Sequence, residues 1–261
     1  MQASIPIDVK DLNLQYLLRL GDSCLILGQR LGEWTGHAPV LEEDIALANM
    51  ALDLIGQARA VLTHAGLSQG YDEDQLAFLR DERDYRNPTL VELPGGPRVG
   101  DFAVTVLRNL LVSIWLKLLW QRLATISSDA ELSAIAGKAV KEARYHQQHA
   151  ADWVVRLGDG TAESSRRCKA ALTELWRYTP ELFEDDAVDA AAVASGLGPA
   201  WSELKGPWLA EVGEVLAEAT LAIPADTAFR SSGKRGVHSE HMGFILAEMQ
   251  QLQRSFPGGV W

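Results

Sequence analysis

The sequence predicts an all-α protein built as a bundle of long helices, and three observations carry this. Apolar residues recur at gaps of three and four over long stretches. Alternating Val/Ile/Thr runs bounded by turns do not recur. Glycine, proline and short polar clusters fall between the periodic stretches and divide them.

The first helix is expected from Asp11 to about Glu33, where Leu14, Leu17, Leu18, Cys24, Leu25, Leu27 and Leu31 form one stripe, and Gly36, His37, Ala38 and Pro39 break it. The second runs from about Leu41 to Ala65. Glu42, Glu43 and Asp44 suit the positive end of its dipole, and Gly66 is expected to end it. A short helix is expected over Asp74–Arg83 and a loop over Asn87–Gly100, which holds Pro88, Pro94, Gly95, Gly96 and Pro97. A strongly apolar helix follows from Asp101 to about Ile126 and contains no Asp or Glu from Phe102 to Ser128. Such a helix belongs at the centre of a bundle, at a subunit interface, or both. Ser127, Ser128 and Asp129 turn the chain and cap the next helix, which extends to Leu157 before Gly158-Asp159-Gly160. Further helices are expected over Glu163–Phe183, Trp201–Ala222 and Val237–Arg254. The acidic, then Ala- and Gly-rich segment Glu184–Pro199 reads as a surface excursion. No break in composition divides the chain, so residues 1–261 are expected to form one domain of the ferritin-like, long-helix class with additional C-terminal helices.

The chain has 261 residues, of which 47% are apolar, enough for a large core. Its formal charge of −11 argues against nucleic-acid binding and against an anionic membrane surface. The most apolar run, Leu110–Trp120, is interrupted by Lys117 and is too short to span a bilayer. Met1–Lys10 carries Asp8 and lacks the basic start and apolar core of a signal peptide. Cys24 and Cys168 form no metal or redox motif. A cytoplasmic protein is expected.

The bundle outline raises the question of a metal. A ferritin-like di-metal site needs a Glu from each of two helices and Glu-x-x-His from each of the other two. The residues three before each histidine are Trp34, Val61, Ala143, His146, Arg235 and His238, none of them acidic. Asp53 sits among Leu47, Met50, Leu52 and Leu54, but the template histidine position is Gly56, followed by Gln57. Glu142 has Tyr145 in the histidine position, with His146 four residues on and His149 beyond. Glu33 and His37 share the spacing of four, but the Gly36 break takes His37 off the helix. A buried acid without metal must be paired or protonated, so a polar network is the favoured reading of Asp53 with Gln57, whereas Glu142 with His146 can bind a metal or equally be a helix-face pair or a core hydrogen bond.

Two further segments can carry chemistry. Arg80-Asp81-Glu82-Arg83-Asp84-Tyr85-Arg86-Asn87 reads as a solvated face. Planar guanidiniums at Arg83 and Arg86 can also hold a phosphate or a partner's acid. Gly233-Lys234-Arg235-Gly236 before His238, Glu240 and His241 can meet an anion at a helix N-terminus, or be a loop only. Those three metal-type side chains cannot all face one ion on a regular helix.

Taken together, RLGDSCLILGQRLGEWTGHAP, IALANMALDLIGQAR, LAFLRDERDYRN, KAVKEARYH, LWRYTPELF and GKRGVHSEHMGFILAEMQQLQR resemble the non-catalytic, ferritin-like subunits of bacterial phenylacetyl-CoA epoxidases, from about Arg19 onward. The resemblance implies a hetero-oligomer for aromatic degradation. A homologous catalytic subunit would bind di-iron and the CoA thioester and epoxidise the ring, with a small bridging subunit and a reductase. The present chain would hold no cofactor and no catalytic residue. Asp53, Glu142, Tyr145 and His146 would be remnants of a metal site, and Asp84, Tyr85, Arg86 and Asn87 a loop toward the partner's CoA pocket. Two other readings stand beside it. One is a ferritin-like metalloenzyme using Glu142, His146 and Asp53; the other is a helical binding module unrelated to the oxygenase.

Overall fold

The computed structural model describes residues 3–98 and 100–259; Met1, Gln2, Val99, Val260 and Trp261 lie outside them. Helices α1 (Leu12–Gly32) and α2 (Leu41–Gly66) form one antiparallel hairpin. Asp11 caps α1 by accepting from Leu14 N–H at 3.0 Å. Gly66 stays helical, and its role is close approach: a Cβ there would lie 2.1 Å from the Tyr71 carbonyl oxygen. Helices α3 (Glu73–Phe78) and α4 (Thr89–Glu92) lie in the long crossover that follows. Helices α5 (Phe102–Ile126) and α6 (Ala130–Gly158) form the second hairpin, capped by Asp101 on Val104 N–H and Asp129 on Leu132 N–H. Because α2 lies along α6, the two hairpins enclose a four-helix centre.

Helices α7 (Ala162–Trp176) and α9 (Lys205–Glu218) cover the far side of α5, so its apolar circumference is core. Helix α8 (Ala187–Ser195) packs on α1, and α10 (Glu240–Ser255) lies against α3, α4 and α1. Buried apolar side chains from every helix join one cluster. Among the described residues the only β feature is an isolated bridge between Ser232 and Val237.

Several boundaries differ from the sequence reading. The helix expected over Asp74–Arg83 stops at Phe78, because the Arg80 guanidinium takes the Leu76 carbonyl that the next turn would need. A 3₁₀ turn covers Glu82–Asp84. The expected loop Asn87–Gly100 contains α4 just after Pro88. The helix expected over Glu163–Phe183 spans only α7. Pro180 cannot donate an α-helical hydrogen bond, and Thr179–Phe183 is 3₁₀. The helix expected from Trp201 is 3₁₀ up to Leu204 and becomes α9 thereafter. The one expected from Val237 starts at Glu240, after Gly236 at φ +79° and the bridge at Val237.

The largest correction is Glu184–Pro199. It contains α8, which buries Val188, Asp189 and Ala192 against the bundle. Asp189 and Asp186 both pair with Arg19 of α1, itself buried. Two of the acidic residues that suggested a surface segment, Asp186 and Asp189, are counter-ions for a buried arginine, while Glu184 pairs with Arg230 and Asp185 is exposed.

Candidate functional site

The four-helix centre is the position where a ferritin-like bundle keeps its metals. It contains a cavity of about 10 Å³, room for about one water molecule. Leu27 and Leu31 of α1 line it, with Met50, Leu54 and Gln57 of α2, Asn109, Ser113 and Leu116 of α5, and Ala143 and His146 of α6. The inward register on α6 is therefore Ala143-x-x-His146, and on α2 it is Leu54-x-x-Gln57. Asp53-x-x-Gly56 and Glu142-x-x-Tyr145, the positions set against the template in the sequence, lie one residue before these. Neighbouring helix residues point about 100° apart, so a one-residue offset moves a side chain off the bundle axis. Tyr145 is 52% exposed, and Asp53 and Glu142 sit at the α2–α6 seam and not at the centre.

The donor set at the centre does not fit two metal ions. One imidazole, two carboxamides and a hydroxyl face hydrocarbon, and no carboxylate lines the cavity. Among the described residues no group of three or more His, Cys, Asp or Glu side chains is arranged to hold a metal. The Asn109 carbonyl oxygen has no protein partner, which suits a small polar cavity more than an ion cage.

Along the seam the polar residues pair across helices. Glu43 accepts from His149 Nε2 at 2.8 Å, Asp53 from His146 Nε2 at 3.1 Å, and Asp129 from His64 Nε2 at 2.8 Å. Gln57 donates to Glu142 at 2.9 Å and accepts from the Cys24 thiol at 3.5 Å. Asp53, Gln57, Glu142 and His146 thus form cross-helix hydrogen bonds, as expected of a polar network. Apart from Cys24–Gln57, which joins α1 to α2, each pair joins α2 to α6 or to its capping turn, so the ladder locks the register between the two hairpins. Cys24 and Cys168 are both buried and free, and burial pushes both thiols up.

Tyr85, Arg86 and Asn87 turn into this chain. The Arg80 guanidinium pairs with Asp22, both fully buried, and stacks over the Tyr85 ring at 4.2 Å. Asp22 also accepts from the Arg86 backbone N–H at 2.8 Å. The Arg86 side chain is taken by Gln15, Arg83 O and Tyr85 O, and Asn87 donates to Glu92 at 2.9 Å. Of the four residues expected to reach a partner's CoA, only Asp84 is as much as half-exposed, while the exposed side chains beside it are Asp81, Glu82 and Arg83.

The basic segment before α10 also meets its own acids. Glu92 of α4 accepts from Ser239 N–H at 2.6 Å, so the anion at the α10 N-terminus is an internal carboxylate. The Lys234 backbone N–H donates to Glu181, its ammonium to the Glu184 carbonyl, and Arg235 pairs with Asp186. His238 donates Nδ1–H to Glu92 at 2.7 Å and Nε2–H to the Tyr85 carbonyl at 3.1 Å, an arrangement that favours the charged imidazolium. Glu240 and His241 make no shared site with it. His37 is exposed and contacts the Thr35 carbonyl, while Glu33 pairs with Arg30.

His146 and His238 titrate in opposite senses. Burial pushes His146 below the ordinary value, against the pull of Asp53. Burial opposes charge at His238 too, but the hydrogen bond and charge of Glu92 outweigh it and raise the value. The contribution of neutral His146 is full above the unfolded histidine value of about 6.5 and is lost as pH falls through its lower folded value. The contribution of charged His238 is full below about 6.5 and is lost as pH rises through its higher folded value. Urea titrations from pH 5 to 8 are expected to show His238→Gln losing more stability at pH 5 than at pH 8. A loss that grew toward pH 8 would contradict the Glu92 pairing.

Sequence reasoning missed the inward positions Leu54, Asn109, Ser113 and Ala143. Spacing alone held the signal for Ala143, three residues before a histidine. Residues 2–261 match the phenylacetic acid catabolic protein family. Over 247 residues the chain is 49% identical to one of the subunits of 1,2-phenylacetyl-CoA epoxidase from Escherichia coli K12, covering 94% of this chain and 98% of that protein. A family match over nearly every residue, together with a relative aligned end to end, places this chain in the phenylacetic acid catabolic protein family.

Proposed function

We propose that this chain is the structural subunit of a multicomponent phenylacetyl-CoA epoxidase in aerobic phenylacetate degradation, and that it works in the cytoplasm without a metal of its own. Its role is to hold a homologous catalytic subunit, which carries the di-iron centre and the CoA thioester, alongside a small bridging subunit and a reductase. The observation that carries this reading is the bundle centre, where Leu54-x-x-Gln57 and Ala143-x-x-His146 replace Glu-x-x-His. The similarity to a subunit of 1,2-phenylacetyl-CoA epoxidase supports this choice of reaction and substrate. Hydrocarbon and amide groups at the centre let the helices pack without metal, and the seam ladder keeps them in register.

The test is co-expression with the candidate catalytic subunit, purification through a tag on this chain, and iron analysis of the complex and of this chain alone. Iron confined to a stable complex is the expected result. Stoichiometric iron in this chain alone, lost in His146→Ala, would overturn the metal-free assignment.

A further inference from the structure

Two basic segments far apart in the sequence meet in one groove. Arg86 belongs to the run Arg80–Asn87, and Lys234 and Arg235 to the Gly-flanked segment before α10. The fold gathers them with Gln15 and Arg19 of α1 and Asp186 at the start of α8, around a space of about 340 Å³. Gly236 permits the approach. Its φ is +79°, and a Cβ there would lie 2.8 Å from Arg86 Nη1 and 2.4 Å from the Arg83 carbonyl oxygen.

The groove is short of negative charge. Four cations line it, Arg19, Arg86, Lys234 and Arg235, against one carboxylate, Asp186. Asp186 is already shared by Arg19 and Arg235, and Asp189 pairs with Arg19. Arg86 and Lys234 meet only neutral acceptors. Arg86 donates Nε–H to the Gln15 amide oxygen and Nη1–H to the Arg83 and Tyr85 carbonyls, and the Lys234 ammonium donates to the Glu184 carbonyl. Both side chains are less than a tenth exposed. Burial pushes both below their ordinary values, Arg19 adds repulsion, and the pull of Asp22 and Asp84 on Arg86, and of Asp189 and Asp186 on Lys234, does not overcome it. Buried charges without a paired counter-ion are costly.

A second observation is Gln15, which is 4% exposed. Because its Oε1 accepts from Arg86, the orientation of the amide is fixed, and the Nε2 end is left with no acceptor. Arg86 Nη2 likewise donates to no group among the described residues. Water can satisfy an amide N–H, but it cannot neutralise two buried cations. A dianion does both.

We infer that this groove binds a phosphate dianion, held by Arg86 Nη2, Gln15 Nε2 and the Lys234 ammonium, with Arg235 on the open side. Two unpaired cations match two negative charges, and guanidinium and ammonium groups suit phosphate oxygens. The start of α8 faces the same space through Ala187 and Val188, so the helix dipole adds to the attraction. The phosphate is either free or part of an organic monoester, whose body would lie along Val9, Leu12 and Val188.

The test is isothermal titration calorimetry on the full-length chain near pH 7.5 at constant ionic strength, with inorganic phosphate, phenyl phosphate and acetate as titrants. Saturable binding of phosphate at one site per chain is expected, with acetate much weaker. Gln15→Glu keeps the acceptor for Arg86 and adds the missing counter-ion. It is expected to raise Tm in phosphate-free buffer and to lower phosphate affinity by about tenfold or more, the loss of a hydrogen bond to a charged group. Lys234→Met keeps the side-chain length beside Trp201 and is expected to lower affinity by a similar factor. Lys169→Met, at an exposed position on α7, leaves it unchanged. Tighter binding of phenyl phosphate than of inorganic phosphate would support the monoester, and equal binding the free ion. Phosphate binding no stronger than acetate, or unchanged in either Gln15→Glu or Lys234→Met, would overturn the inference.

Discussion

Asp22→Ala is expected to destabilise the chain by about 3–5 kcal/mol, because it leaves the buried Arg80 guanidinium without its counter-ion. For a chain of this size that corresponds to a fall in Tm of about 10 °C. Arg80 cannot escape to water, since its side chain is enclosed, its Nη1 also donates to the Asp84 carbonyl at 3.0 Å, and Tyr85 covers it. The Arg86 backbone N–H loses its acceptor in the same step. Arg80→Met is expected to cost less, since it removes the charge and keeps much of the volume, although Asp22 then stays buried with only the Arg86 N–H. Urea denaturation of both variants checks this. A loss under about 1 kcal/mol for Asp22→Ala would mean that water replaces the carboxylate.

Glu92→Ala is expected to cost about 3 kcal/mol, and to release the C-terminal segment before the rest. Glu92 is buried and accepts from Asn87, His238 and Ser239, so its loss strands three donors at once. Two of those donors begin the segment that carries α10, whose other polar ties include Gln250 to Tyr85 and to the Arg80 carbonyl, and Arg254 to the Arg80 and Phe78 carbonyls. Limited proteolysis of Glu92→Ala is expected to cut between Gly233 and Ser239 while the α5–α6 hairpin stays protected. The double variant with Asp22→Ala is expected to cost less than the sum. His238 and Arg86 bridge the two acids through Tyr85, so one change already loosens the partners of the other. Strict additivity would show that the two networks are separate.

What was legible in the sequence follows from how local each signal is. α1, α2, α5 and α6 have long apolar periods, three of them with a capping aspartate at the start, and their ends fall within a residue or two of expectation. α8 was hidden because it needs only Val188, Asp189 and Ala192 to bury its face, and its acids suggested solvent. Asp186 followed three residues later by Asp189 is a capping box and was the available clue. At the bundle centre the absence of Glu-x-x-His was readable, but the choice between Glu142 and Ala143 as the inward position was not. Spacing gives which residues share a face, not which face turns inward. The pairs Asp22–Arg80 and Glu92–His238 join residues 58 and 146 apart, and no local pattern connects them. The run from Arg80 to Asn87 shows the same limit: alternating charge suggested a solvated face, whereas Arg80 and Arg86 are buried within the fold.

Helix α5 has a consequence for the making of the protein. A chain leaves the ribosome N-terminus first at about 5–20 residues per second, so the 29 residues of α6 follow α5 by roughly 2–6 s. During that interval an acid-free helix, apolar enough by length and composition to cross a membrane, has only the α1–α2 hairpin for shelter. Its remaining walls, α7 and α9, arrive later still. The order of helices along the chain therefore sets how long the most aggregation-prone segment stays uncovered, and slow codons just after Ile126 would lengthen that exposure while the same codons after Glu218 would not.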